Sequence, residues 1–512
     1  VGTLRVVSQL DESYLFIQGP PGAGKTFTGS HVIVDLLKAG KTVGVTSNSH
    51  KAINNLLEGV EKVAAKQGFS FRGAKKSTSD ASFLNGQFIE DITTSQAITR
   101  KLTDYQLVAG TAWLFSSKSV EQKFDYLFVD EAGQVSLANL VAMSTCAKNL
   151  VLLGDQMQLG QPIQGVHPGE SGQSTLDYLL QGEATISPER GVFLKDTWRM
   201  HPDVCRFISE AVYGGRLEPE PRNAAQLLLL SSDSHEELRA TGVRFLPVEH
   251  EGCSQRCDVE AQVIRAIFGD LLRQRYVDRQ GGEHQMGLQN ILVVAPYNQQ
   301  VNWLTRALPE GARVGTVDKF QGQEAEVVLV SMTTSSGQYL PRDLEFLYSK
   351  NRLNVAISRA RCLAIVVANP KLLEVECAKP EQMALVNTLC WVRDYSCEFG
   401  LEKKELRMST EFVKVPFKRE ADDTKTFFLP NCRLKKGYEI GRRDHDKEKG
   451  IQSYWDALAK LQAMSQPRFR RPNKNGIPGT VTCEPGDSED VSKAYILQQL
   501  AEAEEGADEG LA

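Results

Sequence analysis

With 512 residues the chain exceeds one ordinary hydrophobic core, and its length implies about two to four domains. Hydrophobic residues make up 41% and charged residues 24%, a globular balance, and no run of about eighteen uncharged apolar residues offers a membrane-spanning helix. The net charge of −5 excludes a uniformly basic surface, although a local basic channel would still serve an acidic polymer.

The chain opens on Val1 with no signal-like stretch, so it reads as starting inside a longer, cytoplasmic protein. YLFIQ (14–18) is a strand followed by a glycine loop, HVIVDLLKAG has helical spacing, and TVGVTS is the next strand. LVAGTA, YLFVDEA and NLVLLGD are further short apolar runs, each closing on a small or acidic residue. Strand–helix alternation of this kind predicts a doubly wound parallel sheet whose ligands collect at the carboxyl ends of the strands. FRGAKKSTSDASF breaks the rhythm and reads as part of a surface insertion over about 64–104.

A second α/β series follows in VFLKDTW, ILVVAPY, ARVGTVDKF, AEVVLVSM and CLAIVVANP, interrupted by an irregular insertion over about 214–257. The expected domains are therefore 1–186 and 187–375, a linker at 376–400, a basic module at 401–482 and an acidic, largely disordered tail at 483–512. Within the last two, IQSYWDALAKLQAM and VSKAYILQQLAEAEE read as amphipathic helices, and PRFRRPNKNG as a basic linker, docking segment or nucleic-acid contact. The ten cysteines are scattered. Cys253 and Cys257 lie close in sequence, but no paired CxxC set exists, so reduced thiols are the first reading and a zinc or iron–sulfur site the alternative.

GPPGAGKT places Gly19, Pro20, Pro21, Gly22, Ala23, Gly24, Lys25 and Thr26 in a GxxxxGK[ST] pattern between a strand and a helix. Backbone N–H groups turned inward by the glycines cradle phosphates, Lys25 meets the β- and γ-phosphates, and Thr26 ligates Mg²⁺. Asp130 and Glu131 close the strand FDYLFV. Such a pair is often only a turn, but downstream of a P-loop Asp130 is expected to hold Mg²⁺ and Glu131 to deprotonate the attacking water.

DEAGQ, GDQMQLGQP, TWRMHP, VGTVDKFQGQEAEVVLVSM and NRLNVAISRARC occur in the order and spacing of superfamily-1 helicases. The chain resembles most the branch of the nonsense-mediated-decay helicase and the Okazaki nuclease-helicase. SYLFIQGPPGAGKT with VGVTSNSHKAINNLL is similar to the helicase half of bacterial proteins that carry an N-terminal RecB-like nuclease. The likeness covers about residues 10–370. It implies two tandem RecA-like domains with ATP and Mg²⁺ between them, and an α-rich or partly disordered appended segment.

By motif, the resemblance makes Gln158 a γ-phosphate sensor, Trp198 an aromatic against adenine, and Arg199 and Arg359 arginines reaching the γ-phosphate from the second lobe. It puts Glu324 at the ribose and Gly322 beside the phosphates. Each has a plainer reading: core for Trp198, a turn for Gln158, surface ion pairs for the arginines. Arg361 is a candidate for pairing with an acidic neighbour. The adenine-reading glutamine of the family would fall near Gly2, and neither Gln9 nor Gln18 fits it.

For the polymer, the resemblance assigns Ser47, Asn48, His50, Lys51, Gly110 and Thr111 in the first lobe. In the second it assigns Pro296, Tyr297, Thr316 and Asp318. These are mostly hydroxyls, amides and backbone, suited to phosphate and sugar contacts without sequence readout. The reading is an ATP-driven motor on single-stranded nucleic acid, DNA favoured over RNA, moving 5′→3′, with no membrane partner. Its rivals are an ATP-switched clamp that unwinds nothing and a regulator of an attached RecB-like nuclease. A GTPase or kinase would lack the WRMHP and NVAISRAR arginines.

Overall fold

The computed structural model describes residues 2–161, 167–377 and 379–398, together with four short strands between 413 and 439. The chain divides into two compact units, 1–223 and 224–512.

The first unit is built on eight parallel strands: β1 (Tyr14–Gln18), β2 (Val43–Thr46), β3 (Gly73–Lys76), β4 (Ile89–Ile92), β5 (Leu107–Ala109), β6 (Phe124–Val129), β7 (Ala147–Gly154) and β8 (Gly191–Phe193). They lie in the order β4-β3-β5-β2-β6-β7-β1-β8. Successive side chains of a strand point to opposite faces. Leu15 and Ile17 accordingly join one apolar core with Val151 and Leu153, while Phe16 joins another with Leu127 and Leu152. Both faces are covered, which is why these strands read as continuous apolar runs. The helices Lys25–Lys38 and His50–Lys66 supply much of the first core through Val32, Ile33, Ile53 and Leu57.

Three sequence expectations are corrected here. VFLKDTW, read as opening the second domain at 187, places β8 beside β1, so the first unit runs on to Asn223. It also carries the short parallel pair β9 (Asp196–Thr197) and β10 (Glu218–Pro219). The supposed surface insertion at 64–104 contributes β3 and β4 and thereby the sheet's outer edge. Some of its polar residues are internal: Lys75 is fully buried, with its Nζ 2.8 Å from Ser77 Oγ and 3.8 Å from Asp91 Oδ1. The irregular insertion at 214–257 likewise contains regular structure in β11 (Leu227–Leu229) and β12 (Gly242–Pro247).

In the second unit β11 joins β13 (Arg275–Val277) and β14 (Glu283–Gln285) in a small antiparallel sheet. The main sheet adds β15 (Ile291–Val294), β16 (Arg313–Gly315), β17 (Ala325–Ser331) and β18 (Ala360–Ala368), parallel, in the order β12-β18-β17-β15-β16. The expected linker at 376–400 is instead largely a helix, Pro380–Glu398. Met383, Val386, Leu389, Cys390 and Val392 are buried along it, and Arg244 Nη1 donates to Ser396 Oγ at 3.1 Å. Helical spacing of those apolar residues draws the segment onto the second unit.

Within the expected basic module the described strands form two antiparallel pairs, Val413–Lys418 with Thr424–Leu429 and Arg433–Leu434 with Tyr438–Glu439. The two amphipathic helices and the acidic tail expected beyond them lie outside the described residues. No described helix is long and apolar enough to cross a membrane.

Candidate nucleotide-binding site

The glycine loop leaves the end of β1, between β7 and the edge strand β8, and is tied to β7 by Gly19 N–H donating to Gly154 O at 2.9 Å. Gly22 and Gly24 take φ of +74° and +79°, a region costly for residues with a Cβ. Gly24 caps the helix Lys25–Lys38 without a side-chain acceptor, so backbone donors of the first turn are left for a ligand. Lys25 Nζ donates to Gly19 O at 2.7 Å, across the loop, and Thr26 is exposed at the helix's second position. Pro20, Pro21 and Ala23 are buried beneath.

Asp130 and Glu131 follow β6, which is separated from β1 by β7 alone. Asp130 is buried, Glu131 adopts φ +51°, and the Glu131 N–H donates to Asp130 Oδ1 at 3.0 Å. Burial first, and the Glu131 charge second, push the Asp130 carboxyl up to about 7 against the pull of Lys25. Asp155, just past β7, is also buried and raised by burial, opposed by Lys25 and by hydrogen bonds. Its carboxylate accepts from Tyr213 Oη at 2.6 Å and Gln158 Nε2 at 2.8 Å. Two buried acids within the electrostatic reach of one ammonium form a site that a divalent cation would balance. A hard cation with oxygen ligands fits this donor set, Asp130 and the Thr26 hydroxyl being the expected ligands.

The TWR segment closes over the loop. Thr197 Oγ1 donates to Pro21 O at 2.9 Å and Trp198 N–H to Gly22 O at 2.9 Å. A Cβ on Gly22 would lie 2.6 Å from Arg199 Cβ and 2.7 Å from Thr197 Oγ1, so glycine there permits the contact. Trp198 is 45% exposed with the Arg222 guanidinium 5.8 Å from its ring centre. Arg199, expected from the second lobe, belongs to the first unit, because β9 pairs with β10 and Asn223 Nδ2 donates to Thr197 O and Met200 O.

The expected polymer contacts of the first lobe gather at the carboxyl ends of neighbouring strands, Ser47 to Lys51 after β2 and Gly110 and Thr111 after β5. Ser47 is buried, Asn48 and Lys51 are exposed, and His50 Nε2 lies 3.5 Å from Thr78 Oγ1. Burial, then Lys75 and Lys76, holds the His50 imidazole below its ordinary value.

In the second unit, Pro296 and Tyr297 follow β15, and Thr316 and Asp318 follow β16. Tyr297 does not face outward as a strand contact would. It is 5% exposed and its ring stacks on Phe346 at 5.7 Å. Asp318 accepts from Arg352 Nη1 at 3.2 Å. Gly322, Glu324 and Arg359 stand at the opposite end of this sheet, before β17 and β18, where Ala325 N–H donates to Arg359 O at 3.0 Å. The expected nucleotide and polymer residues of this unit are thus at different ends of one sheet. Arg361 pairs with Glu326 at 2.6 Å and with Glu324, so the residue expected at the ribose is engaged by a neighbouring arginine.

Sequence reasoning missed Asp155, Tyr213 and the structural use of Gln18. Gln18 Nε2 donates to Gln156 Oε1 and Ala184 O, both at 3.0 Å, and its Oε1 accepts from Ile186 N at 2.7 Å. A signal existed: Gln18 and Asp155 are the polar residues that end the apolar runs of β1 and β7.

The AAA domain family matches the chain twice, over residues 3–170 and 172–371. The chain is 26% identical to the DNA replication ATP-dependent helicase/nuclease JHS1 of Arabidopsis thaliana, over 72% of this chain and 28% of that protein. It is 27% identical to the DNA-binding protein SMUBP-2 of Mesocricetus auratus, over 78% and 44%, and 25% identical to the regulator of nonsense transcripts 1 homolog of Drosophila melanogaster, over 70% and 33%. The chain therefore spans less than half the length of each of these relatives. With AAA domains matched across both units and two RecA-like parallel sheets beneath them, the chain belongs to the superfamily-1 helicases.

Proposed function

We propose that the chain is an ATP-dependent helicase or translocase that moves along single-stranded nucleic acid, DNA in preference to RNA and in the 5′→3′ direction. The observation that carries this reading is the docking of the TWR segment on the P-loop, with Lys25 held beside the buried acids Asp130 and Asp155. Two of the relatives above carry DNA in their names, which supports the choice of polymer. The JHS1 name joins a helicase to a nuclease, and an attached RecB-like nuclease is a proposed partner on the same footing.

In this reading the loop amides and Lys25 hold the phosphates of ATP, and Trp198 stacks on the base. Mg²⁺ at Thr26 and Asp130 would neutralise charge on the transferred phosphoryl group. Glu131 accepts the proton of the attacking water, and Asp155 keeps Gln158 oriented as a sensor. Arg199 and Arg359 supply fixed cations for the developing charge, and Gly322 and Glu324 complete the nucleotide contacts. Ser47, Asn48, His50, Lys51, Gly110 and Thr111 grip the backbone of the polymer, helped by Pro296, Thr316 and Asp318 of the second unit.

The test is steady-state ATP hydrolysis with and without single-stranded DNA or RNA oligonucleotides, on the parent chain, Lys25→Ala and Arg359→Ala. Stimulation by DNA is expected, with a loss of about 10³-fold or more in the arginine variant and at least about 10²-fold in the lysine variant. Hydrolysis that neither polymer changes would sink the motor.

A further inference from the structure

Away from the nucleotide loop, the second unit holds a buried polar cluster that the proposed activity does not use. His250, Cys253 and Cys257 bring one imidazole nitrogen and two sulfurs within 4.8 Å of one another. His250 and Cys257 are buried and Cys253 is partly exposed. From these donors we propose that the loop 250–257 is a binding site for a zinc-class divalent cation, held by the His250 imidazole and the two thiolates.

The donor chemistry suits such an ion. Two thiolates and a neutral imidazole form a soft-to-borderline set, and three protein ligands leave a fourth position for water on the side of the partly exposed Cys253. The surroundings of His250 match what a ligating histidine needs. Its Nε2 lies 3.1 Å from Glu260 Oε1, and the Glu260 carboxylate is fully buried. As acceptor of that N–H, Glu260 fixes the tautomer and leaves the lone pair on Nδ1, the arrangement in which a carboxylate orients a histidine toward a metal. Glu260 is itself held by Ser331 Oγ at 2.5 Å and Thr333 N–H at 2.9 Å, so it cannot swing away without breaking both.

Nδ1 is met at 2.8 Å by Ser335 Oγ, which also accepts from Cys253 N–H at 2.9 Å. An arriving ion takes the place of the Ser335 hydroxyl hydrogen bond at Nδ1, and the hydroxyl keeps its amide partner. Cys257 Sγ accepts from Glu260 N–H at 3.4 Å, at the start of the helix Asp258–Leu271, so a thiolate there gains from the helix dipole. Binding balances in charge: the two thiols lose one proton each to solvent, and two thiolates neutralise the dication. The loop is already fastened to the segment after β17 through Ser335 N–H to Cys253 O at 2.9 Å and Thr334 Oγ1 to Ser254 O at 3.0 Å. A metal would make that fastening covalent in character, acting as a structural clip.

The test uses the full chain, purified under reducing conditions, stripped with a chelator and titrated with Co²⁺ alone. The expected result is about one equivalent of tight binding, with visible d–d bands of tetrahedral cobalt and a thiolate-to-cobalt charge-transfer band, both bleached by Zn²⁺. Cys253→Ser should cut the charge-transfer band to about half or less, one thiolate being left, and weaken cobalt binding, with an unchanged circular dichroism spectrum. Cys253 is partly exposed, so this variant keeps the test valid even if Cys257→Ser fails to fold. Absence of the bands in the parent chain, or a charge-transfer band undiminished in Cys253→Ser, would overturn the proposal. A Cys253–Cys257 disulfide found by mass spectrometry in protein purified without reductant, together with no metal uptake after reduction, would overturn it in favour of a thiol pair.

Discussion

At the outer edge of the first sheet Asp91 accepts from Ser77 Oγ at 2.6 Å and from the N–H groups of Leu84 and Asn85, both at 2.9 Å, with Lys75 Nζ 3.8 Å away. In the middle of the same sheet Asp130 is more completely buried and has a second carboxylate, Glu131, as its neighbour. Burial tends to raise both carboxyls. At Asp91 the Ser77, Asn85 and Leu84 hydrogen bonds and the Lys75 charge outweigh it and bring the carboxyl below its ordinary value, whereas Asp130 is pushed up to about 7. One sheet therefore holds a carboxylate whose demands are met internally and another whose demands are left for a ligand. The first kind builds structure, and the second marks a site.

The largest expected effect comes from breaking the satisfied edge. Lys75→Met removes the cation from a pair whose side chains are 0% and 9% exposed, leaving Asp91 charged in the interior. Loss of one partner of a buried pair is expected to destabilise the fold by about 3–5 kcal/mol, read by urea denaturation. The sign with pH follows from the lowered carboxyl. Asp91 contributes stability that is present above its unfolded pKa and lost as the pH falls through the lower folded value. An unchanged denaturation midpoint in Lys75→Met would show that the edge is held by its apolar contacts alone.

The same contrast explains what could be read from the sequence. β1, β6 and β7 are apolar on both faces, and the residues that end them stand at the nucleotide loop, so fold class and site were legible together. β3 and β4 read GAKK and IEDI, and no periodicity announces that Lys75 is internal, because its burial depends on Asp91, Ser77 and Ser82 meeting it in three dimensions. β8 was misassigned for a related reason. The parallel register of β8 with β1, Phe16 with Gly191 and Gln18 with Phe193, ties it to the first sheet, and register is not written in composition. Tyr297 was read as a surface contact from its motif, yet the Phe346 ring that covers it is distant in sequence.

A smaller effect should sharpen the contrast from the other side. In nucleotide-free protein the raised Asp130 carboxyl makes the folded state hold a proton that the unfolded chain releases, so stability falls as pH rises between the ordinary carboxylate range and about 7. Asp130→Asn removes that penalty. Its melting temperature is expected to exceed the parent's by more at about pH 8 than at about pH 5, while ATP hydrolysis is lost. Equal shifts at both pH values would mean that Asp130 carries no such burden.

The smallest expected effect lies where the two regions meet. Ser49 caps the helix His50–Lys66, its hydroxyl accepting from Ala52 N–H at 3.1 Å. Further along that helix, Glu61 accepts from the N–H groups of Gln87, Phe88 and Ile89 and so fastens β4. Ser49→Ala should lower stability by about 1 kcal/mol, and Ser49→Asp should restore it, since an acid caps as well and suits the positive end of the helix. The two variants separate structure from polymer contact. If Asn48, His50 and Lys51 grip a phosphate backbone, the new charge of Ser49→Asp weakens binding of single-stranded DNA while stability recovers, and Ser49→Ala lowers stability while binding is kept. Affinity that simply tracks stability across both variants would remove this strand end from the track.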